Sequence, residues 1–259
     1  MHTQQNNITR GDHCDRQGKL LVVGIGPGSV LDRTRRAEDA IRASDVVVGY
    51  KLYLEHIADL TAGKELIATG MMQEIARCRM ALERAMTGAT VAFVSSGDAG
   101  VYGMAGLAME MAAAHGWQVP MEVIPGVSAA NSAAAKMGAP LMLDYACVSL
   151  SDLLMPWENI VRRIRALAEA DMVVALYNPK STKRVRQIAD VTAIFLEHRS
   201  ASTPVGIATA VGAAEESVVM SNLGSFLDEE ITMKSIVIVG NSTSGMLGDW
   251  FVTPRGYQV

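Results

Sequence analysis

Three segments of this chain gather small and polar residues where backbone could meet a ligand. The first is Gly24-Ile25-Gly26-Pro27-Gly28. A dinucleotide site asks for G-x-G-x-x-G and an acidic residue about 20 positions further on. In this chain the third glycine arrives one residue early, and Pro27 removes a backbone N–H that a pyrophosphate would use. Asp45 precedes the next apolar run instead of ending it. These departures argue against a nicotinamide site; the structural alternative is a tight turn that needs glycine conformations. The second segment spans 95–103 and carries Ser96, Gly97, Asp98, Val101 and Tyr102. Its small residues leave amides and carbonyls open, and Asp98 could accept from a ligand amine or hydroxyl, or cap the next helix. The third is Pro125-Gly126-Val127-Ser128-Ala129-Ala130. It opens a helix whose positive end favours a carboxylate, or it simply allows close packing.

Two later segments carry polar groups of other kinds. Ser149 to Trp157 reads as a helix start, with Ser151 or Asp152 as cap. Tyr177-Asn178-Pro179-Lys180-Ser181 ends an apolar run in a turn, and Lys183, Arg184 and Arg186 follow. That basic cluster is either a solvated helix face or a patch for a polyanionic small molecule.

The elements that must position these segments alternate in kind. Residues 20–24, 45–49, 90–94 and 122–124 are short apolar runs, as in strands buried on both faces. Helical patterns fill 33–43, 73–86, 104–115 and 129–136, and on the second of these Ile75, Met80, Leu82 and Met86 stand at apolar positions. Gly138-Ala139-Pro140 breaks the pattern and a second series begins. It has strands at 147–150, 172–176, 204–208 and 236–240, and a strand at 217–220 able to pair antiparallel. Helices are expected at 157–169 and 182–196. Strand, glycine-rich loop and helix in repetition predict an α/β fold with a mostly parallel sheet, whose ligands bind beyond the carboxyl ends of the strands. The expected organisation is a tail at 1–18, an N-terminal α/β domain at 19–140, a C-terminal α/β domain at 141–259, and a cleft between the two.

Composition narrows the classes. The chain has 259 residues, 49% hydrophobic and 19% charged, with net charge −4. That supports a large core and makes nucleic acid a poor partner. No run is long and apolar enough to span a membrane, and the polar start lacks the apolar stretch of a signal peptide. A cytoplasmic location is expected. Cys14, Cys78 and Cys147 are far apart, and the five histidines form no ligand pairs, so no metal site is expected.

In order and separation, GIGPG, SSGDAGVYG, PGVSAANSAAAKMGAPL, SLSDLLMPW and LYNPKS resemble the tetrapyrrole (class III) methylases, and most of all their precorrin-3B C17-methyltransferases. The resemblance covers about 19–245. It implies two α/β domains with S-adenosylmethionine folded into the cleft between them, and a homodimer. It places the cofactor against Pro27, Ser96, Gly97, Asp98, Val101, Tyr102, Ser128, Ala129, Tyr177, Ala210 and Val211. The tetrapyrrole would lie over the first glycine loop, against Gly26, Gly28, Ser151, Asn178 and Lys180. The implied reaction is C17 methylation of precorrin-3B with ring contraction to precorrin-4 in cobalamin biosynthesis. The alternatives are cobalt-factor III or cobalt-precorrin-3 as substrate in the anaerobic pathway, or another enzyme of this fold. A relative acting on RNA should show larger basic surfaces than this acidic chain.

Methyl transfer from a sulfonium to an electron-rich carbon needs no enzyme nucleophile, which suits a chain with no Ser/His/Asp or Cys/His set. A substrate with many carboxylates makes Arg33, Arg35, Arg36, Lys180, Lys183 and Arg184 candidate clamps. Ring contraction removes a proton, and Asp98, Asp144 and Asp152 are the conceivable bases.

Overall fold

Alternation along the buried strands puts successive side chains on opposite faces, so each strand needs cover on both sides. The chain meets that need with helices. The computed structural model describes residues 17–258. The expected tail at 1–18 lies outside them apart from Gln17 and Gly18. The element order is β1 (Lys19–Gly24), α1 (Arg35–Ala43), β2 (Val46–Tyr50), α2 (Lys51–His56), β3 (Glu65–Thr69), α3 (Glu74–Met86), β4 (Thr90–Ser95), α4 (Ala105–His115), β5 (Met121–Ile124), α5 (Ala129–Met137) and β6 (Gly138–Ala139). It continues with β7 (Tyr145–Ser149), α6 (Trp157–Glu169), β8 (Val173–Tyr177), α7 (Gln187–Leu196), β9 (Pro204–Thr209), β10 (Ser217–Asn222), β11 (Ser235–Val239), β12 (Gly245–Leu247) and β13 (Trp250–Val252).

The first sheet has the order β3-β2-β4-β1-β5 and is parallel throughout. Leu20, Val22, Val48 and Phe93 face α3 and α4, while Leu21, Val23, Val47 and Val94 face α1 and α2. The second sheet has the order β10-β9-β11-β8-β7. Only its β7–β8 pair is parallel; β11 runs antiparallel to both β8 and β9, and β10 antiparallel to β9. One face packs on α6 and α7, and the other on α5 and Phe251. α5 therefore follows the first sheet in sequence but shares its apolar face with the second.

Several expectations change. The buried face of α3 is Cys78, Ala81, Leu82 and Ala85 at helical spacing; Ile75, Met80 and Met86 are exposed. Small residues let this helix approach the sheet, so size misidentified the face. α7 starts at Gln187, not at 182, because Ser181 Oγ accepts from Arg184 N (3.0 Å) and closes a turn. α1 starts at Arg35, where Thr34 Oγ1 accepts from Ala37 N as the cap. α2, the edge strand β3 and the β12–β13 hairpin are further elements; β3 has no buried residue.

Candidate active site

The order of the first sheet sets β4, β1 and β5 side by side, so the loops at their carboxyl ends abut. Gly26 and Gly97 exchange two backbone hydrogen bonds, Gly97 N to Gly26 O (2.7 Å) and Gly26 N to Gly97 O (3.1 Å). Asp98 joins the third loop: its Oδ1 accepts from Gly100 N (2.8 Å) and its Oδ2 from Gly126 N (3.0 Å). Contact at Gly126 is so close that a Cβ there would lie 2.2 Å from the carbonyl oxygen of Gly97. Gly97 itself has φ +62°, which glycine adopts without strain. The GIGPG turn is thus one of three interlocked loops.

The second sheet closes the site from the other side. Tyr177 ends β8, and its hydroxyl accepts from Ala130 N in the first turn of α5 (3.0 Å). Ser128 caps that helix through Asn131 N. Tyr102 packs its ring 5.0 Å from that of Tyr177 and donates to the carbonyl of Cys147 (3.1 Å). Burial pushes both phenols above their ordinary range, so both keep their protons. Because β11 is antiparallel, its start lies beside the end of β9, with Ser235 opposite Thr209. Ala210 follows with φ +51°, and its N–H donates to the carbonyl of Lys234.

Between the sheets lies a cavity of about 790 Å³. It is lined by all eleven residues assigned to the cofactor: Pro27, Ser96, Gly97, Asp98, Val101, Tyr102, Ser128, Ala129, Tyr177, Ala210 and Val211. Gly26, Gly28 and Asn178, assigned to the tetrapyrrole, line it too. Ser151 and Lys180 do not line it; the turn that follows Asn178 (φ +50°) carries Lys180 away, and Ser151 N is turned back onto Ser149 Oγ (3.2 Å).

The three conceivable bases are not brought together. Asp144 is exposed and lies off the cavity. Asp152 is exposed, accepts from Gln187 Nε2 (2.9 Å) and likewise does not line it. Asp98 does line it, but both of its oxygens already serve backbone donors, which makes it a brace between loops. Of the candidate clamps, only Arg33 lines the cavity. Its side chain is 2% exposed and forms a two-pronged pair with Asp59, at 3.1 Å for each prong. Arg35 pairs with Asp39, Arg36 with Glu122, and Arg184 Nη2 donates to the carbonyl of Asn178 (2.8 Å).

Sequence reasoning missed the wall formed by Tyr50, Leu52, Tyr53, Glu55, His56 and Met71, and the stretches Ala213–Glu215 and Met233–Ile236. Tyr50 ends β2, Leu52 to His56 lie on α2, Met71 follows β3, Ala213–Glu215 follow β9, and Met233–Ile236 lead into the antiparallel β11. No group of three or more His, Cys, Asp or Glu among the described residues is arranged to hold a metal ion. No described helix is long and apolar enough to cross a membrane.

Fold and cleft together define an α/β protein of two sheet-containing domains, with glycine-rich strand ends converging on a ligand cavity between them. Residues 19–227 match the family model of the tetrapyrrole (corrin/porphyrin) methylases, and the chain belongs to that family. It is 51% identical over 246 residues to the cobalt-factor III methyltransferase of Priestia megaterium, covering 93% of this chain and 46% of that longer protein. It is 44% identical over 240 residues to the probable cobalt-factor III C(17)-methyltransferase of Salmonella typhimurium, covering 93% of this chain and 100% of that protein. The precorrin-3B C(17)-methyltransferase of a Sinorhizobium species is 36% identical over 248 residues, covering 93% and 97%. The crystal structure of the methyltransferase CobJ superposes with a TM-score of 0.86 at 34% identity, covering 92% of this chain and 100% of that one.

Proposed function

We propose that this protein transfers a methyl group from S-adenosylmethionine to C17 of a tetrapyrrole on the route to cobalamin. The observation that carries this reading is the cavity, which gathers every residue that the family resemblance assigns to the cofactor. The names of the full-length relatives support C17 as the methylated position.

The residues present fit such a cofactor. Gly97, Ala129 and Ala210 keep the walls thin, and the interlocked glycine loops hold their backbone groups in fixed directions. When bound, S-adenosylmethionine supplies an electrophilic methyl group on a sulfonium. The chain's part is to hold the partners in line and exclude water. Such positioning can lower a barrier by up to roughly 7–11 kcal/mol. Tyr102 and Tyr177 wall the cavity with two rings in tilted contact.

Identity is higher to the two relatives named for cobalt-factor III than to the one named for precorrin-3B, which favours the cobalt-containing substrate. Precorrin-3B, with ring contraction to precorrin-4, is the second reading. The test incubates the protein with each tetrapyrrole and methyl-labelled cofactor and follows product mass and label position. Label at C17 of the cobalt substrate supports the first reading, label on precorrin-3B alone the second, and label on neither overturns both. A homodimer belongs to the same reading; sedimentation equilibrium returning a monomer mass would remove it.

A further inference from the structure

The described residues lining the cleft carry few mobile charges. Arg33 is engaged by Asp59, and Asp98 by two backbone N–H groups. Lys234 and Glu215 are different. Both line the cavity, their side chains are 61% and 60% exposed, and Lys234 Nζ lies 2.9 Å from Glu215 Oε1. An exposed pair of this kind is worth little, so a better-placed anion can replace either member. Lys234 immediately precedes β11 on the second domain, and His56 and Glu55 face the same cavity from the first. Apart from Arg33, Lys234 is the only lysine or arginine among the described lining residues.

We propose that Lys234 anchors a carboxylate of the ligand in this cleft, and that Glu215 holds the ammonium in place until that carboxylate displaces it. This rests on the tetrapyrrole methylase reading, which puts two carboxylate-bearing molecules in the cleft. The shared chemistry is a carboxylate, from a tetrapyrrole side chain or from the amino-acid end of the cofactor. Exchange of one carboxylate for another conserves charge around Lys234, and Glu215 is left free to turn to water. Glu215 is then a competitor, and its removal has the opposite sign from removal of Lys234.

The test compares wild type with Lys234→Met and Glu215→Gln, titrating each with cobalt-factor III and, separately, with S-adenosylhomocysteine, at low and high salt. The expected result is a loss of about tenfold in affinity for one ligand in Lys234→Met. Glu215→Gln gains about two- to fivefold for the same ligand. Loss confined to cobalt-factor III places the carboxylate on the substrate, and loss confined to S-adenosylhomocysteine places it on the cofactor. If both variants weaken binding together, the pair is a structural brace and the proposal fails; it also fails if neither variant changes either affinity. Wild type that binds S-adenosylhomocysteine but no tetrapyrrole overturns the proposed substrate, while the cofactor titration still decides the role of Lys234. Both side chains lie at the surface, and unchanged melting temperatures show that the variants are folded.

Discussion

Asp98 has two oxygens and gives one to each of two loops. Hydrogen bonds to a charged group are each worth about 1.5–3 kcal/mol. Asp98→Ala should therefore destabilise the protein by about 3–6 kcal/mol and weaken S-adenosylhomocysteine about tenfold or more, by releasing Gly126 from the loop of Gly97. Calorimetry and denaturant unfolding measure both; unchanged values would show that the loops hold each other without it. Cys78 poses a different residue-scale question. Burial outweighs the attraction of Arg77 and Arg79 and pushes its thiol up to about 11. The folded state keeps the proton longer than the unfolded one, so this group's contribution to stability falls as pH rises from the ordinary thiol range towards that value. At about pH 9, Cys78 should resist alkylation in the folded protein and react on unfolding, as peptide mass spectrometry would show.

At the scale of elements, α3 shows how burial departs from hydrophobicity. Leu82 is fully buried between helix and sheet, while Met80 is exposed on the same helix. Leu82→Ala should cost about 2–5 kcal/mol and Met80→Ala within about 0.5 kcal/mol, measured by denaturant unfolding. Comparable losses would place the helix on its other face. The strand expected at 217–220 as able to pair antiparallel does pair that way, with β9. β11 gives no such expectation, since it is buried on both faces and a continuous apolar run says nothing of direction.

Across the whole molecule, the cleft is the feature to which both sheets contribute. α5 follows the loop at 125–128 and packs on the second sheet. We infer that the mechanical division between the domains falls there, ahead of the sequence break at Pro140. A ligand bridging both walls and binding only the folded state stabilises the protein by mass action. S-adenosylhomocysteine at 100 times its dissociation constant should add about 2.7 kcal/mol and raise the melting temperature by roughly 5–11 °C. Scanning calorimetry with and without it is the check, and no shift would argue against a cofactor site spanning the cleft.

The sequence alone determined the strand–loop–helix grammar, the small-residue loops and the family, because glycine spacing and buried runs are local properties. The eleven residues that the family resemblance assigns to a cofactor all line one cavity. Tertiary structure alone decided which charges reach the cavity. Asp144, Asp152 and Lys180 match the chemistry by type but turn away, and Arg33 is tied to Asp59. Lys234 carries no motif and arrives because β11 runs antiparallel beside β9, while Glu215 lies on the loop that follows β9. Direction and order in a sheet are set by non-local pairing, and residue type does not encode them.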